Sequence, residues 1–103
     1  MNVIKTNGIT VKDIFNANNS EAIKDHDGEI ISVVDVAIET KVDDQKVAYL
    51  KDANGVMFAS ISPTVIEQAF MLIDMLETQS KVDVVVESGV SAQGNTYYVL
   101  KLA

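Results

Sequence analysis

The stretch that decides the fold is residues 45–77, which read QKVAYLKDANGVMFASISPTVIEQAFMLIDMLE. Residues 45–51 and 56–61 are rich in β-branched and aromatic side chains, which favour strands. The pair Asn54-Gly55 lies between them and suits the positive φ angles of a tight hairpin turn. This part of the sequence therefore predicts two antiparallel strands joined by a short turn.

A helix follows the hairpin. Serine at position 62 is a good N-cap, and Pro63 gives up only an amide that has no partner in the first turn of a helix. We predict a helix over residues 63–77 with one apolar stripe, formed by Ile66, Phe70, Ile73 and Leu76. Other apolar residues lie off this stripe, namely Val65, Met71, Leu72 and Met75. They indicate either a deeply buried helix or a surface for association.

Three more strands are predicted on either side of this segment. Residues 29–40 form a long strand whose alternation breaks near residues 32–34, which indicates a bulge or bend. Residues 81–87 and 96–102 form the last two strands. The order β-β-β-α-β-β predicts a mainly β fold with one helix, a five-stranded OB-fold barrel whose first strand bends to pair on both sides.

The first 27 residues are more polar and are predicted to form an N-terminal arm, which leaves residues 28–103 as the OB-fold domain. Thr10 is placed to cap a short helix, because its hydroxyl can accept a hydrogen bond from a free amide. Residues 20–24 are predicted to form a further helical turn.

Composition excludes several classes of protein. The 103 residues carry a formal charge of −7 and no cysteine, so a disulfide framework and a thiolate metal site are excluded. Apolar runs are too short for a membrane helix, and the first residues lack a signal core, so we expect a cytoplasmic protein without membrane contact. The negative charge argues against binding nucleic acid by charge alone.

Catalytic signals are weak. The single histidine, His26, lies between Asp25 and Asp27, where a solvated turn residue is a simpler interpretation than a base or a metal ligand. Glycine falls at the fourth position of this stretch, whereas a calcium loop needs it at the sixth. Phosphate loops and nucleophile elbows are absent. We expect no enzyme activity, no metal and no cofactor.

Single-strand binding fits the sequence better, because bases can stack on aromatic rings while lysines contact phosphates. The predicted stacking residues are Tyr49, Phe58 and Tyr97, and the predicted phosphate contacts are Lys46, Lys51 and Lys101. Tyr49 shares a strand face with Val47 and Lys51, which suits a surface ring. Alternation places Tyr98 in the core with Leu100. Packing remains open for all three stacking rings, since aromatic residues on strands often belong to a core.

Three segments carry a family resemblance: residues 47–52, residues 55–62 leading into the helix, and residues 94–100 with the adjacent Tyr97 and Tyr98. With these motifs the chain resembles small single-stranded DNA-binding proteins of phages and plasmids from Gram-positive hosts. The resemblance implies an OB-fold protein that coats single-stranded DNA, independently of its sequence, during replication or recombination.

Other functions remain open at this point. The apolar surplus on helix 63–77 fits a protein–protein module, such as a phage accessory or structural adaptor, or a homo-oligomer formed through that helix. The acidic balance also fits a mimic of DNA, although the carboxylates are spread evenly along turns.

Overall fold

The computed structural model describes residues 2–5, 8–16 and 20–103, and within residues 2–5 it describes the backbone. The strands in this part of the chain are β1 (Asn2–Lys5), β2 (Glu21–Ala22), β3 (Ile30–Thr40), β4 (Lys46–Asp52), β5 (Met57–Ser60), β6 (Val82–Val90) and β7 (Thr96–Leu102). The helices are α1 (Val11–Phe15) and α2 (Pro63–Leu76), and a 3₁₀ turn covers Ile23–His26. Within these ranges no helix has the length and apolarity needed to cross a membrane.

The strand β3 organises the sheet, whose central order is β5-β4-β3-β6-β7. Its first part pairs with β6 and its second part pairs with β4, both antiparallel. The register with β4 shifts between Val33 and Asp35, so that successive buried side chains before and after the shift keep facing the same core. The predicted bulge and the predicted pairing on both sides are therefore confirmed.

The strand count of the predicted barrel is wrong. From β3 to β7 the element order is the predicted one, but the described residues contain seven strands instead of five. The additional strands come from the predicted arm: β1 pairs antiparallel with β3, and β2 pairs parallel with β5. Within the described residues β5 and β7 are not paired, so the curled sheet is compatible with an OB-like fold but has an open seam.

Helix α2 covers one face of the sheet. Ser62 caps it, since its Oγ accepts from the Val65 amide at 3.5 Å, and Pro63 is its first residue, as predicted. Three residues of the predicted apolar stripe, Ile66, Ile73 and Leu76, are partly buried and pack against the core, which confirms that side of the helix. The most deeply buried positions lie beside the stripe, at Val65, Ala69 and Leu72. Phe70, the remaining residue of the predicted stripe, is 38% exposed, and Met71 is 55% exposed.

Two apolar clusters lie on opposite faces of the sheet. The larger one fills the space between the sheet and α2 and includes Leu50, Phe58 and Leu100. The smaller one lies on the outer face and consists of Ile9, Ile14, Ala37, Val47 and Tyr49. Because Ile9 and Ile14 come from the predicted arm, this part of the arm forms a second layer on the sheet.

The arm contains the predicted short helix. Thr10 Oγ1 accepts from the Asp13 amide at 3.1 Å, and Asp13 Oδ2 accepts from the Thr10 amide at 2.9 Å, which makes a reciprocal capping box. The helical turn predicted at residues 20–24 is instead the strand β2 followed by the 3₁₀ turn. Residues 1, 6–7 and 17–19 of the predicted arm lie outside the described residues, and the boundary at residue 27 stays a prediction.

Candidate nucleic-acid interface

A groove of about 540 Å³ lies at the open seam of the sheet. One wall comes from β2 and the end of β5, and the other wall comes from the start of β7. The residues that give it chemical character are Lys24, Ser60, Ile61, Ser62, Thr96 and Tyr97. It offers apolar surface, hydroxyl groups and two aromatic rings, the exposed Tyr97 and the partly buried Tyr98, a mixture that suits a flexible strand of nucleotides.

The side chain of Gln68 takes the place of a neighbouring strand at the edge of β7. Its Nε2 donates to the Leu100 carbonyl at 2.6 Å, and its Oε1 accepts from the Leu100 amide at 2.9 Å. The amide group of Gln68 thus satisfies both backbone groups of Leu100, as a peptide of an adjacent strand would. On the other wall β2 occupies the edge of β5. The backbone groups of Leu100 and the edge of β5 therefore have hydrogen-bond partners, although β5 and β7 do not pair with each other within the described residues.

The charge of the groove differs from that of the whole chain. Among the lining residues that the structure describes, Lys24 carries the only charge and none is acidic. A chain of net charge −7 therefore has a concave surface on which phosphates meet no carboxylate in the lining. The negative net charge of the chain therefore does not by itself exclude an anionic ligand at this place.

Tyr97 is the exposed ring of the groove, with 48% of its surface accessible. It stands opposite Gly89 in the register of β6 and β7. A Cβ atom placed on Gly89 would fall 2.5 Å from Cζ of Tyr97, so the ring lies directly over the glycine backbone. Tyr98, which faces the other way, packs against the main core. The predicted exposure of Tyr97 is confirmed, and Tyr98 packs against the core as predicted, although it is only partly buried and also lines the groove.

The predicted surface position of the Tyr49 ring is wrong, because only 6% of this residue is exposed. It lies in the cluster beneath Ile9 and Ile14, and its hydroxyl donates to Glu39 Oε1 at 3.0 Å. Burial, followed by this hydrogen bond to a carboxylate, raises the pKa of Tyr49 to about 12. In this arrangement the ring supports the arm and offers no free face for stacking.

Phe58 also lies in a core, on the opposite face of the sheet from Tyr49, with 6% of its surface exposed. The His26 ring meets it edge-on at a centroid distance of 5.0 Å. His26 Nε2 is 2.9 Å from Glu21 Oε1, and Nδ1 is 3.0 Å from Glu29 Oε2. The hydrogen bond to Glu29 is the largest influence on the imidazole and raises its pKa. The histidine thus ties β2 to the residues just before β3.

The three predicted phosphate contacts lie on separate parts of the surface. Lys46 lines a second groove of about 460 Å³ that shares Ile61 and Pro63 with the first groove, so the two adjoin. Lys51 is half-buried on the outer face of β4, where its charge acts on Asp13 of α1. Lys101 Nζ is 3.9 Å from Glu87 Oε1. The binding role of the six predicted site residues stays a prediction, and the structure brings only Tyr97 and Lys46 to the grooves at the seam.

Sequence reasoning did not single out Lys24, Ile61 or Gly89. Lys24 falls in the region interpreted as an arm, and its place in the groove depends on the parallel pairing of β2 with β5. Ile61 was assigned to a strand, yet it follows β5 and is 62% exposed. For Gly89 a signal existed, since a glycine within a strand often marks a close approach of another group.

The comparisons with known proteins bear directly on this interface. Residues 4–103 match the model of the Phi29-type family described as phage single-stranded DNA-binding protein. Comparisons with curated proteins and with solved structures give no match. Because the family match spans nearly the whole sequence, the chain belongs to the phage single-stranded DNA-binding protein family.

Proposed function

We propose that this protein binds single-stranded DNA without sequence preference and without catalysis, by holding the strand in the groove between β5 and β7. Tyr97 stacks a base, Lys24 meets a phosphate, and the hydroxyls of Ser60 and Thr96 contact the backbone of the strand. The protein acts on DNA during replication or recombination in the host cytoplasm. The Gram-positive host stays a prediction.

The observation that carries this proposal is an exposed aromatic ring in a groove whose described lining has no carboxylate. Stacking on an aromatic side chain contributes about 1–3 kcal/mol per base and accepts any base, because every base has a π-face. Among the residues that the structure describes, Lys24 lines the groove and Lys46 lines the adjoining one, so we expect few counterions to be released on binding. We expect the logarithm of the association constant to fall with the logarithm of salt concentration with a slope of only about −1 to −2, given about −0.7 per neutralised phosphate on single strands.

The test is a titration of fluorescently labelled oligo-dT followed by anisotropy at low salt. Tyr97→Leu should weaken binding by about 5- to 150-fold, which corresponds to the loss of one stacked base. Tyr97→Phe keeps the ring and serves as the matched control, with binding close to that of the parent protein. Equal affinity of the Leu variant and the parent protein would show that Tyr97 does not contact the bound strand.

A second pair of variants tests the charge. Lys24→Gln should weaken binding. It should also make the slope of the logarithm of the association constant against the logarithm of salt concentration shallower by about 0.7, the contribution of one phosphate contact. Lys81→Gln is the control, because Lys81 lies in a separate groove with Met75 and Ala103. An equal effect of the two substitutions would indicate a response to net charge alone, with no local contact at Lys24.

A second candidate function is self-association or protein contact through α2. The exposed side chains of Phe70 and Met71 on this helix, with Ile61 beside its N-terminus, support it. Light scattering of the free protein, compared with Phe70→Ser, tests this candidate. A monomer at all concentrations in both proteins would leave α2 as a purely structural helix.

A further inference from the structure

The segment from Gly8 to Phe15 lies over the outer face of β3, β4 and β5. We call this segment the cover, and we call the surface beneath it the covered face, which consists of Ala37, Val47, Tyr49, Met57 and Ala59. Ile9 is fully buried against this face and Ile14 is 5% exposed. The cover therefore accounts for the burial of Tyr49.

The covered face is continuous with the groove at the seam. Val47 and Ala59 belong to the apolar cluster beneath the cover and also line the groove. Tyr49 stands opposite Ala59 in the register of β4 and β5, and Ala59 lines the groove, so Tyr49 is a direct neighbour of the groove lining. In sheets of this kind the second and third strands of the barrel, here β4 and β5, commonly carry the surface that contacts oligonucleotides.

Within the described residues, the cover is anchored at a small number of points. Helix α1 has five residues, far fewer than an isolated helix needs for stability in water. Its side chains Val11 and Phe15 are exposed, with 57% and 79% of their surfaces accessible. What anchors it is the insertion of Ile9 and Ile14 and the hydrogen bond from the Ile9 amide to Asp35 Oδ2 at 3.2 Å.

We propose that the cover is displaceable and that single-stranded DNA competes with it for the covered face. A strand that leaves the groove past Ala59 reaches Tyr49 when the cover lifts, stacks a further base there and meets Lys51 at the far side of the ring. This second contact face rests on the proposed function, because it extends the path of a strand already held in the groove.

The geometry offers a direct way to lock the cover. A Cβ atom on Gly8 would lie 3.9 Å from Cβ of Asp35, within the range of about 3.5–4.5 Å that a disulfide requires. The chain has no cysteine of its own. Gly8 has a φ angle of 75°, which a cysteine adopts only with strain, and Asp35→Cys removes the acceptor of the Ile9 amide. The double variant Gly8→Cys/Asp35→Cys therefore gives one protein in two states, with the cover fixed when oxidised and held less firmly than in the parent protein when reduced. Circular dichroism of both states verifies that each is folded.

Titrations with labelled oligo-dT of increasing length then distinguish a displaceable cover from binding in the groove alone. The reduced protein should bind about 5- to 150-fold more tightly than the oxidised protein, and it should occupy a longer stretch of oligonucleotide, since one more base is stacked. Tyr49→Leu added to the double variant should weaken the reduced form only. Equal affinity and equal site length in both redox states overturn the displaceable cover while leaving binding in the groove intact. Absence of binding in both states overturns the proposed function as well.

Hydrogen exchange on the unmodified chain gives an independent measurement, should the double variant fail to fold. Adding oligo-dT should speed exchange of the amides in residues 9–16 and slow exchange at Thr96–Tyr98. Unchanged or slower exchange in residues 9–16 with bound DNA overturns the displaceable cover. Exchange that changes in neither segment counts against both proposals.

Discussion

The ring of Tyr97 lies over the backbone of Gly89, its partner on the neighbouring strand, closely enough that a side chain on Gly89 would occupy the same space. The glycine thus gives one face of the ring a flat support while the residue stays 48% exposed. A supported ring loses less freedom when a base stacks on it, so the pair presents Tyr97 to a ligand in a fixed position.

The first prediction concerns this pair. Gly89→Ala should push the ring out of its position and weaken oligo-dT binding by about 5-fold or more, a substantial part of one stacking interaction. Gly89 does not have a positive φ angle, so alanine fits its backbone and the free energy of unfolding should change by less than about 1 kcal/mol. Anisotropy and urea unfolding measure the two effects.

The double variant Gly89→Ala/Tyr97→Leu is the control for that prediction. If the glycine acts through the ring, its substitution has little further effect once the ring is absent, and the two effects on binding are not additive. Additive losses would mean that Gly89 contributes to binding independently of Tyr97.

The second prediction concerns the edge of β7. Gln68→Ala removes both hydrogen bonds to the backbone of Leu100 and leaves these partly buried groups without their partner. We expect the free energy of unfolding to fall by about 1–3 kcal/mol. Gln79→Ala, at an exposed glutamine beyond the end of α2, is the matched control and should change stability little. Urea unfolding measures both, and similar values for the two variants would contradict a strand-like role for Gln68.

Local patterns in the sequence account for much of the fold. The bounds of β7, the Ser62 cap and the register shift near Val33 follow from alternation, capping chemistry and a break in periodicity. Alternation also separates Tyr97 from Tyr98, because one face of β7 carries Leu100.

The candidate site follows from contacts that are distant in the sequence, which local patterns do not report. Alternation correctly places Tyr49 with Val47 on one face, but it says nothing about Ile9 and Ile14, which cover that face from about 40 residues away. The groove depends on the two-residue strand β2 and on the bonds of Gln68 to Leu100. A strand so short has no recognisable period, and a glutamine on a helix gives no sign of pairing with a strand edge.

The third prediction concerns the buried hydrogen bond between Tyr49 and Glu39. Tyr49→Phe removes the donor and leaves the carboxylate, 6% exposed, without this partner, which should lower the free energy of unfolding by about 1–3 kcal/mol. Because the folded-state pKa of Tyr49 is raised from 10.0 to about 12, its contribution is complete below pH 10 and is lost as the pH rises towards 12. Absorbance at alkaline pH should show a late-ionising tyrosine that disappears in the Phe variant. A late ionisation that persists in this variant would assign it to another ring.

The last prediction concerns His26, which joins Glu21 of β2 to Glu29. Its pKa is raised in the folded protein chiefly by the hydrogen bond to Glu29. Burial opposes this rise as the next-largest effect, and the charge of Glu29 and the contact with Glu21 add to it. A raised pKa means that the unfolded chain releases the proton at lower pH than the folded one, so the stabilisation is complete below the ordinary histidine value of 6.5 and is lost as the pH rises through the folded-state pKa. We therefore expect the wild-type protein to lose stability between pH 5.5 and 8.5.

The variant His26→Gln tests this assignment, because glutamine has no charge to lose over that pH range while it can still donate to a carboxylate. Urea unfolding at pH 5.5 and 8.5 should show a smaller difference in the variant than in the parent protein. Loss of the proton from His26 should also affect the groove, because His26 contacts Glu21 of β2 and β2 forms one wall of the groove. Oligo-dT binding should therefore weaken at pH 8.5 in the parent protein and be less sensitive to pH in His26→Gln. An unchanged pH dependence of stability in the variant would assign the titration to another group.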